Sequence, residues 1–187
     1  ARLQQMVAEK RADAAVLGQA DSIAWTFNIR GSDIAHNPVA LAWAILPRSG
    51  KPSLFIDGRK LSNAVRDALS DLADISEPDR LPDALAALGQ TEAAVLVEPR
   101  MTAVAVANLI TGAGGTIVDG ADPVSLPKAR KNETEIAGSR RAHIRDGAAM
   151  VRFLAWLDAT AATGIDEITV ADRLAACRAE TATADGS

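Results

Sequence analysis

DSIAWTFNIRGSDIAHNPV, residues 21–39, begins with an amphipathic run carrying Ile23, Ala24, Trp25 and Phe27. It then drops into a polar loop, Asn28–Asn37, and Pro38 leads directly into the apolar run VALAWAIL. Arg30, Asp33, His36 and Asn37 therefore share one loop between two elements that want burial, the setting in which a rigid scaffold displays side chains to a ligand. The same residues admit a plainer reading, in which Arg30 pairs with Asp33 and His36 caps a turn. The loop alone does not separate the two.

Working outward, Leu3, Met6 and Val7 recur at helical spacing, so the spacing predicts a short amphipathic helix over 2–10. Ala14–Leu17 is a short apolar run closed by Gly18 and reads as a strand. The helix of the opening stretch is expected from Ser22, with Asp21 or Ser22 as N-cap. Val39–Leu46 is apolar throughout, as expected of a central strand covered on both faces, with Pro47 as its stop. Ser53–Asp57 reads as the neighbouring strand of a hairpin. Leu61, Val65, Leu69 and Leu72 then mark one helix face. Asp74–Ser76 suits a short strand, and a helix around Pro82–Leu88 ends at Gly89. Ala93–Val97 is a strand. Thr102 is placed to cap a helix to about Ile110, and Gly112-Ala-Gly114-Gly115 turns the chain into a strand at Thr116–Val118. This order predicts an α/β domain over residues 1–121, with the strand order left open.

Asp122–Lys131, DPVSLPKARK, has two prolines and no helical period, so 122–131 is expected as an extended linker. Asn132 with Glu135 forms an Asn-led capping box ahead of a long helix. Ile136, Ile144, Ala148, Val151 and Ala155 mark one face of it, and Met150, Phe153, Leu154 and Leu157 widen the apolar arc. Gly164 is the expected stop, and Asp166 or Thr169 starts a further helix through Leu174 and Cys177. These two helices have no sheet here to pack against. Residues 132–187 thus read as an incomplete domain, and the chain as a piece of something longer.

Of 187 residues, with net charge −4 and acids and bases interspersed, no basic face points to nucleic acid or to a membrane surface. A single cysteine, Cys177, and the absence of a signal pattern fit a reducing, cytoplasmic setting. His36 and His143 stand far apart, and no HExxH, CxxC or acidic-His cluster offers metal-ligand spacing. The glycine cluster follows a helix and precedes a strand, the reverse of a phosphate cradle. Ser32 and Ser125 lack a nucleophile-elbow context, and Cys177 on an alanine-rich helix reads as structural.

Trp25–Val39 closely resembles the segment Ala-Trp-x-x-Asn-(Ile/Leu)-Arg-Gly-Ser-Asp-x-x-x-Asn-Pro-Val of three-domain Xaa-Pro aminopeptidases, creatinase/prolidase-like "pita-bread" metallopeptidases. A second segment, Asp122–Asp158, resembles the start of that family's catalytic domain. The resemblance implies a mixed sheet flanked by helices, a creatinase-type second N-terminal domain, followed by the first helices of a truncated pita-bread domain. It also implies hydrolysis of the bond between an N-terminal residue and proline, on peptide substrates, by a homodimer. Two divalent metal ions, commonly manganese, would serve the intact enzyme, held by Asp, Asp, His, Glu and Glu beyond this stretch. The stretch itself would bind none and be inactive alone. A tryptophan matching Trp25 overlies the catalytic site in two-domain relatives, so Trp25, Arg30, Asp33, His36 and Asn37 become the substrate-facing candidates. Arg30 would counter a peptide carboxylate or fix the loop through Asp33. Two alternatives remain open at this point: a non-catalytic binding or dimerisation module, and a prolidase- or creatinase-like enzyme with another substrate.

Overall fold

A computed structural model describes residues 2–160 and 164–184, with side chains through 182. The chain divides into two compact units, Ala1–Arg130 and Lys131–Ser187.

In the first unit α1 (Arg2–Glu9) leads to β1 (Ala14–Leu17), α2 (Ala20–Phe27), β2 (Trp43–Pro47), β3 (Ser53–Phe55), α3 (Asn63–Ser70) and β4 (Asp74–Ser76). Then come α4 (Leu81–Gln90), β5 (Ala94–Val97), α5 (Val104–Gly112), β6 (Thr116–Asp119) and α6 (Ser125–Ala129). Single 3-10 turns lie at Gly58–Lys60 and Pro78–Arg80. The strands form one mixed sheet in the order β4-β3-β2-β1-β5-β6. β1 pairs antiparallel with β2 and parallel with β5, and all four of its residues are buried. The β2–β3 hairpin is antiparallel, with Trp43 opposite Phe55, while β3–β4 and β5–β6 are parallel.

Alternation along the strands sends side chains to opposite faces. Ala14 and Val16 join Ile45, Val95, Leu85 and Ile110 on the face covered by α4 and α5. Leu17 joins Ala44, Leu54, Ile23, Phe27 and Val124 on the other, where Ala15 and Leu46 pack with Val7 of α1.

Several boundaries differ from the sequence expectation, each for a physical reason. β2 begins at Trp43, not Val39. Just before it, the Leu41 N–H donates to the Asp33 carboxylate and the Leu41 carbonyl accepts from Lys60 Nζ. Side chains thus take the groups a ladder would use, and Leu41 itself is 54% exposed. Pro47 closes β2 from within, paired with Ala14. α2 starts at Ala20, and its N-cap is Gln19 without a side-chain hydrogen bond. Asp21 instead accepts from the Ser22 N–H and pairs with Lys128. Ala103, not Thr102, is the N-cap of α5.

Gly89 lies inside α4 and does not stop it. A Cβ there would sit 2.4 Å from the Ile110 carbonyl oxygen and 2.5 Å from Ala113 Cβ, so glycine is what lets α4 and α5 approach. The stretch after Gly120 is not an extended linker. Val124 is fully buried in the core, the Asp122 N–H donates to Glu98, and α6 occupies Ser125–Ala129.

In the second unit, α7 (Glu133–Thr160) and α8 (Glu167–Ala184) pack on each other. The capping box forms as read: Asn132 Oδ1 accepts from the Glu135 N–H, and Glu135 Oε2 accepts from the Asn132 N–H. Asp166 accepts from the Thr169 N–H at the start of α8. The buried face of α7 carries Ala149 and Phe153, which meet Cys177 with Met150, Trp156 and Leu157 alongside. Ile144 and Val151, expected on the packed face, are exposed. Gly164, the expected stop, is non-helical with φ 76, and residues 161–163, between it and the end of α7, lie outside the described residues.

Candidate functional site

The loop begins where α2 ends. Asn28 takes the left-handed conformation at the C-cap (φ 51, ψ 41), one that asparagine tolerates better than most residues. The Ile29 N–H returns to the Ala24 carbonyl at 3.0 Å, and the Ile29 side chain is buried like a plug beneath the loop. The two limbs then run beside each other: the Gly31 N–H donates to the Pro38 carbonyl and the Asp33 N–H to the Val39 carbonyl. A bridge between Ile34 and Asn37 closes the tip, where His36 adopts φ 62. Gly31 is required at the crossing, because a Cβ would lie 2.8 Å from both the Ala40 nitrogen and the Ala40 methyl.

Asp33 fastens this loop to the sheet. One carboxylate oxygen accepts from the Leu41 N–H at 2.7 Å and from Lys60 Nζ at 2.5 Å. The Lys60 hydrogen bond, followed by that of the Leu41 N–H, holds the Asp33 carboxyl below the usual carboxylate range. Lys60 ends a 3-10 turn that is itself well braced. Asp57 caps it and forks with Arg59, which lowers the Asp57 pKa to about 2. Glu77 accepts from the Gly58 N–H, and Arg66 donates to the Gly58 carbonyl.

Arg30 and Asp33 are not partners. Arg30 Nη1 donates to the Ile29 carbonyl at 2.8 Å and, more weakly, to the Ala24 carbonyl at 3.5 Å, capping the end of α2. His36 and Asn37 are exposed at the tip. Trp25 lies on α2, not in the loop, and packs half-buried against the core that holds Ile23 and Phe27. Four of the five candidates thus share one braced loop, with Trp25 on the helix that feeds it.

Lys60 escaped the sequence reading. Continuing the hairpin register outward from Trp43 and Phe55 sets Leu41 opposite Asp57, so the pairing of strands carried the only signal. Among the described residues no cluster of three or more His, Cys, Asp or Glu side chains could hold a metal ion. His143 Nδ1 is engaged with the Ser139 carbonyl, and Cys177 is buried.

Residues 1–135 match the family model of the creatinase/prolidase N-terminal domain. The chain belongs to this family. The relatives it resembles include a probable Xaa-Pro aminopeptidase P from Laccaria bicolor, 37% identical over 96% of this chain and 28% of that protein. Xaa-Pro aminopeptidase 1 of Dictyostelium discoideum is 34% identical over 83% of this chain and 24% of its own length. Among solved structures, the X-prolyl aminopeptidase of Caenorhabditis elegans superposes with a TM-score of 0.80 at 28% identity. It covers 95% of this chain and 30% of that one, and is described as a cytosolic enzyme with a dinuclear active site. A creatinase/prolidase N-terminal domain followed by α7 and α8 therefore spans about 30% of the length of such relatives. Among the described residues no helix is long and apolar enough to cross a membrane.

Proposed function

We propose that this chain is one part of a metal-dependent Xaa-Pro aminopeptidase, which removes the residue preceding proline from the N-terminus of peptides. The supporting observation is the 37% identity to a probable Xaa-Pro aminopeptidase P over 96% of the chain. Residues 1–121 serve as the creatinase-like domain, and 132–187 begin the catalytic domain. A pair of divalent ions, manganese in this reading, would be held by residues beyond this chain. The described residues do not fit them, since they offer no cluster of ligating side chains, and no step of hydrolysis is assigned to this stretch.

Its own contribution is the substrate entrance. The loop is held by Asp33 and Lys60, so His36, Asn37 and the free edge of Arg30 are presented without having to be ordered on binding. Trp25 supplies an apolar wall that positions substrate and sheds water. The intact enzyme is a cytoplasmic homodimer in this proposal.

The test joins this chain to the remainder of its parent polypeptide and assays an Ala-Pro-type peptide against its Ala-Ala counterpart, before and after chelation. Selective, chelator-sensitive release of the first residue is expected, with the isolated chain inactive. Equal cleavage of both peptides would refute the Xaa-Pro assignment, and no cleavage by the metal-loaded parent would favour a binding module.

A further inference from the structure

We propose that Arg30 anchors a carboxylate-binding site between the loop and α3, suited to the C-terminal carboxylate of a short peptide whose last side chain is apolar. The evidence starts with how this arginine is held. Nη1 is fixed on the Ile29 and Ala24 carbonyls, which orients the guanidinium plane before any ligand arrives. Among the described residues, Nε and Nη2 have no partner. Those two atoms form the side-on fork that matches a carboxylate. The same fork appears among the described residues in Arg59 on Asp57 at 3.0 and 2.6 Å and in Arg178 on Asp146 at 2.7 and 3.4 Å. Arg30 is exposed and keeps the same side-on edge open to solvent.

The surroundings suit a single negative charge. A cavity of about 200 Å³ is lined by Arg30, Ser32, Asp33 and Lys60. Asp33 and Lys60 neutralise each other, so Arg30 leaves one uncompensated positive charge. That favours a carboxylate over a doubly charged phosphate. Ser32 lines the same cavity, and neither its N–H nor its hydroxyl has a partner among the described residues. Arg30 also borders a groove of about 430 Å³ walled by Phe27, Val65, Ala68 and Leu69, which shares Ile29 and Val65 with the first cavity. An acid group on the fork would thus carry an apolar side chain into that groove. The site lies within the substrate entrance proposed above and deepens that reading, but it is tested by binding to this chain, so its failure is distinguishable from failure of the peptidase assay.

The experiment titrates the full chain with N-acetyl-leucine, its amide, acetate and inorganic phosphate, following the Arg30 Nε–H and Ser32 N–H resonances by NMR. N-acetyl-leucine should shift both saturably, the amide neither, and acetate and phosphate only at much higher concentration. Arg30→Gln should weaken binding by about tenfold or more. Because that change also removes a cap of α2, Val65→Asp provides a second variant. Val65 lines both cavities and is 40% exposed, so a carboxylate there should repel the ligand while leaving the Arg30 cap intact. Equal binding of acid and amide, equal binding of phosphate, undiminished binding by Val65→Asp, or no saturable shift at millimolar acid would each overturn the proposal.

Discussion

Replacing Gly89 by alanine sets two effects of opposite sign against each other. In an exposed helix interior the change gains roughly 0.8–1 kcal/mol of helix propensity. At this position the new methyl would meet the Ile110 carbonyl oxygen at 2.4 Å and Ala113 Cβ at 2.5 Å, where real contacts essentially never fall below 3.0 Å. Neither neighbour can rotate away, since one is backbone and the other a methyl fixed to it. Gly115 lies against the same spot, with its own would-be Cβ 3.0 Å from Gly89 Cα. The end of α5 must therefore shift bodily, and overpacking of this kind costs about 1–3 kcal/mol. With both neighbours rigid the upper part of that range applies, so Gly89→Ala should destabilise the first unit by about 1–2 kcal/mol net. The expected fall in thermal midpoint is roughly 3–8 °C. Urea unfolding followed by circular dichroism checks it against Gly147→Ala in α7, where an added Cβ meets nothing within 4 Å. Gly147→Ala should be neutral or stabilising by up to about 1 kcal/mol. If Gly89→Ala matched or exceeded wild-type stability, the close approach of α4 and α5 would be refuted.

Val124→Ala should cost about 1.5–3 kcal/mol because the side chain is fully buried; a neutral result in denaturant unfolding would return residues 122–131 to an extended linker. Lys60→Gln should raise the Asp33 pKa toward its ordinary value, read by carbon-detected titration of the carboxyl, and should speed amide exchange at Leu41. The depressed Asp33 and Asp57 carboxyls contribute stability above the ordinary carboxylate pKa and lose it as pH falls through their folded values. The chain should therefore hold a constant midpoint near neutrality and lose stability between about pH 4 and pH 2, which a melting series across that range checks. Under the proposed aminopeptidase function, Trp25→Ala in the parent polypeptide should lower kcat/KM on a Xaa-Pro peptide with metal content retained; the half-buried ring makes its stability cost smaller than the ~3–5 kcal/mol of a core aromatic. Unchanged kcat/KM in folded, metal-loaded variant would remove Trp25 from the substrate path.

What was legible in the sequence was what neighbouring residues decide together. The Asn132–Glu135 capping box forms because both partners sit within one turn, and the β2–β3 hairpin follows from two apolar runs around RSGKP. The loop from Asn28 to Asn37 was visible as a loop for the same reason. Its fastening was not, because Lys60 reaches Asp33 only after the hairpin has brought distant segments together. That long-range capture also moved the start of β2. Gly89 carried the composition of a stop signal, but its role depends on α5, which no local pattern places. Val124 and Leu126 both lie between Pro123 and Pro127, and only the core that Val124 enters explains why it is buried and Leu126 is exposed. On α7 the expected arc includes Ile144, Val151 and Leu154, which are exposed, and the packed face of Ala149 and Phe153 is set by Cys177 and its neighbours on α8.

The ends of the sheet have a bearing on how copies of this domain coexist. β4 and β6 are the two outer strands, only three and four residues long. Asp74 begins the first, paired with Lys51, and Asp119 ends the second. Short outer strands bearing charge make poor templates for a strand from another molecule. Copies held at high local concentration, as in an oligomer, should meet through helices and loops and leave their sheets separate, with little tendency toward the continuous cross-strand stacking that seeds aggregates.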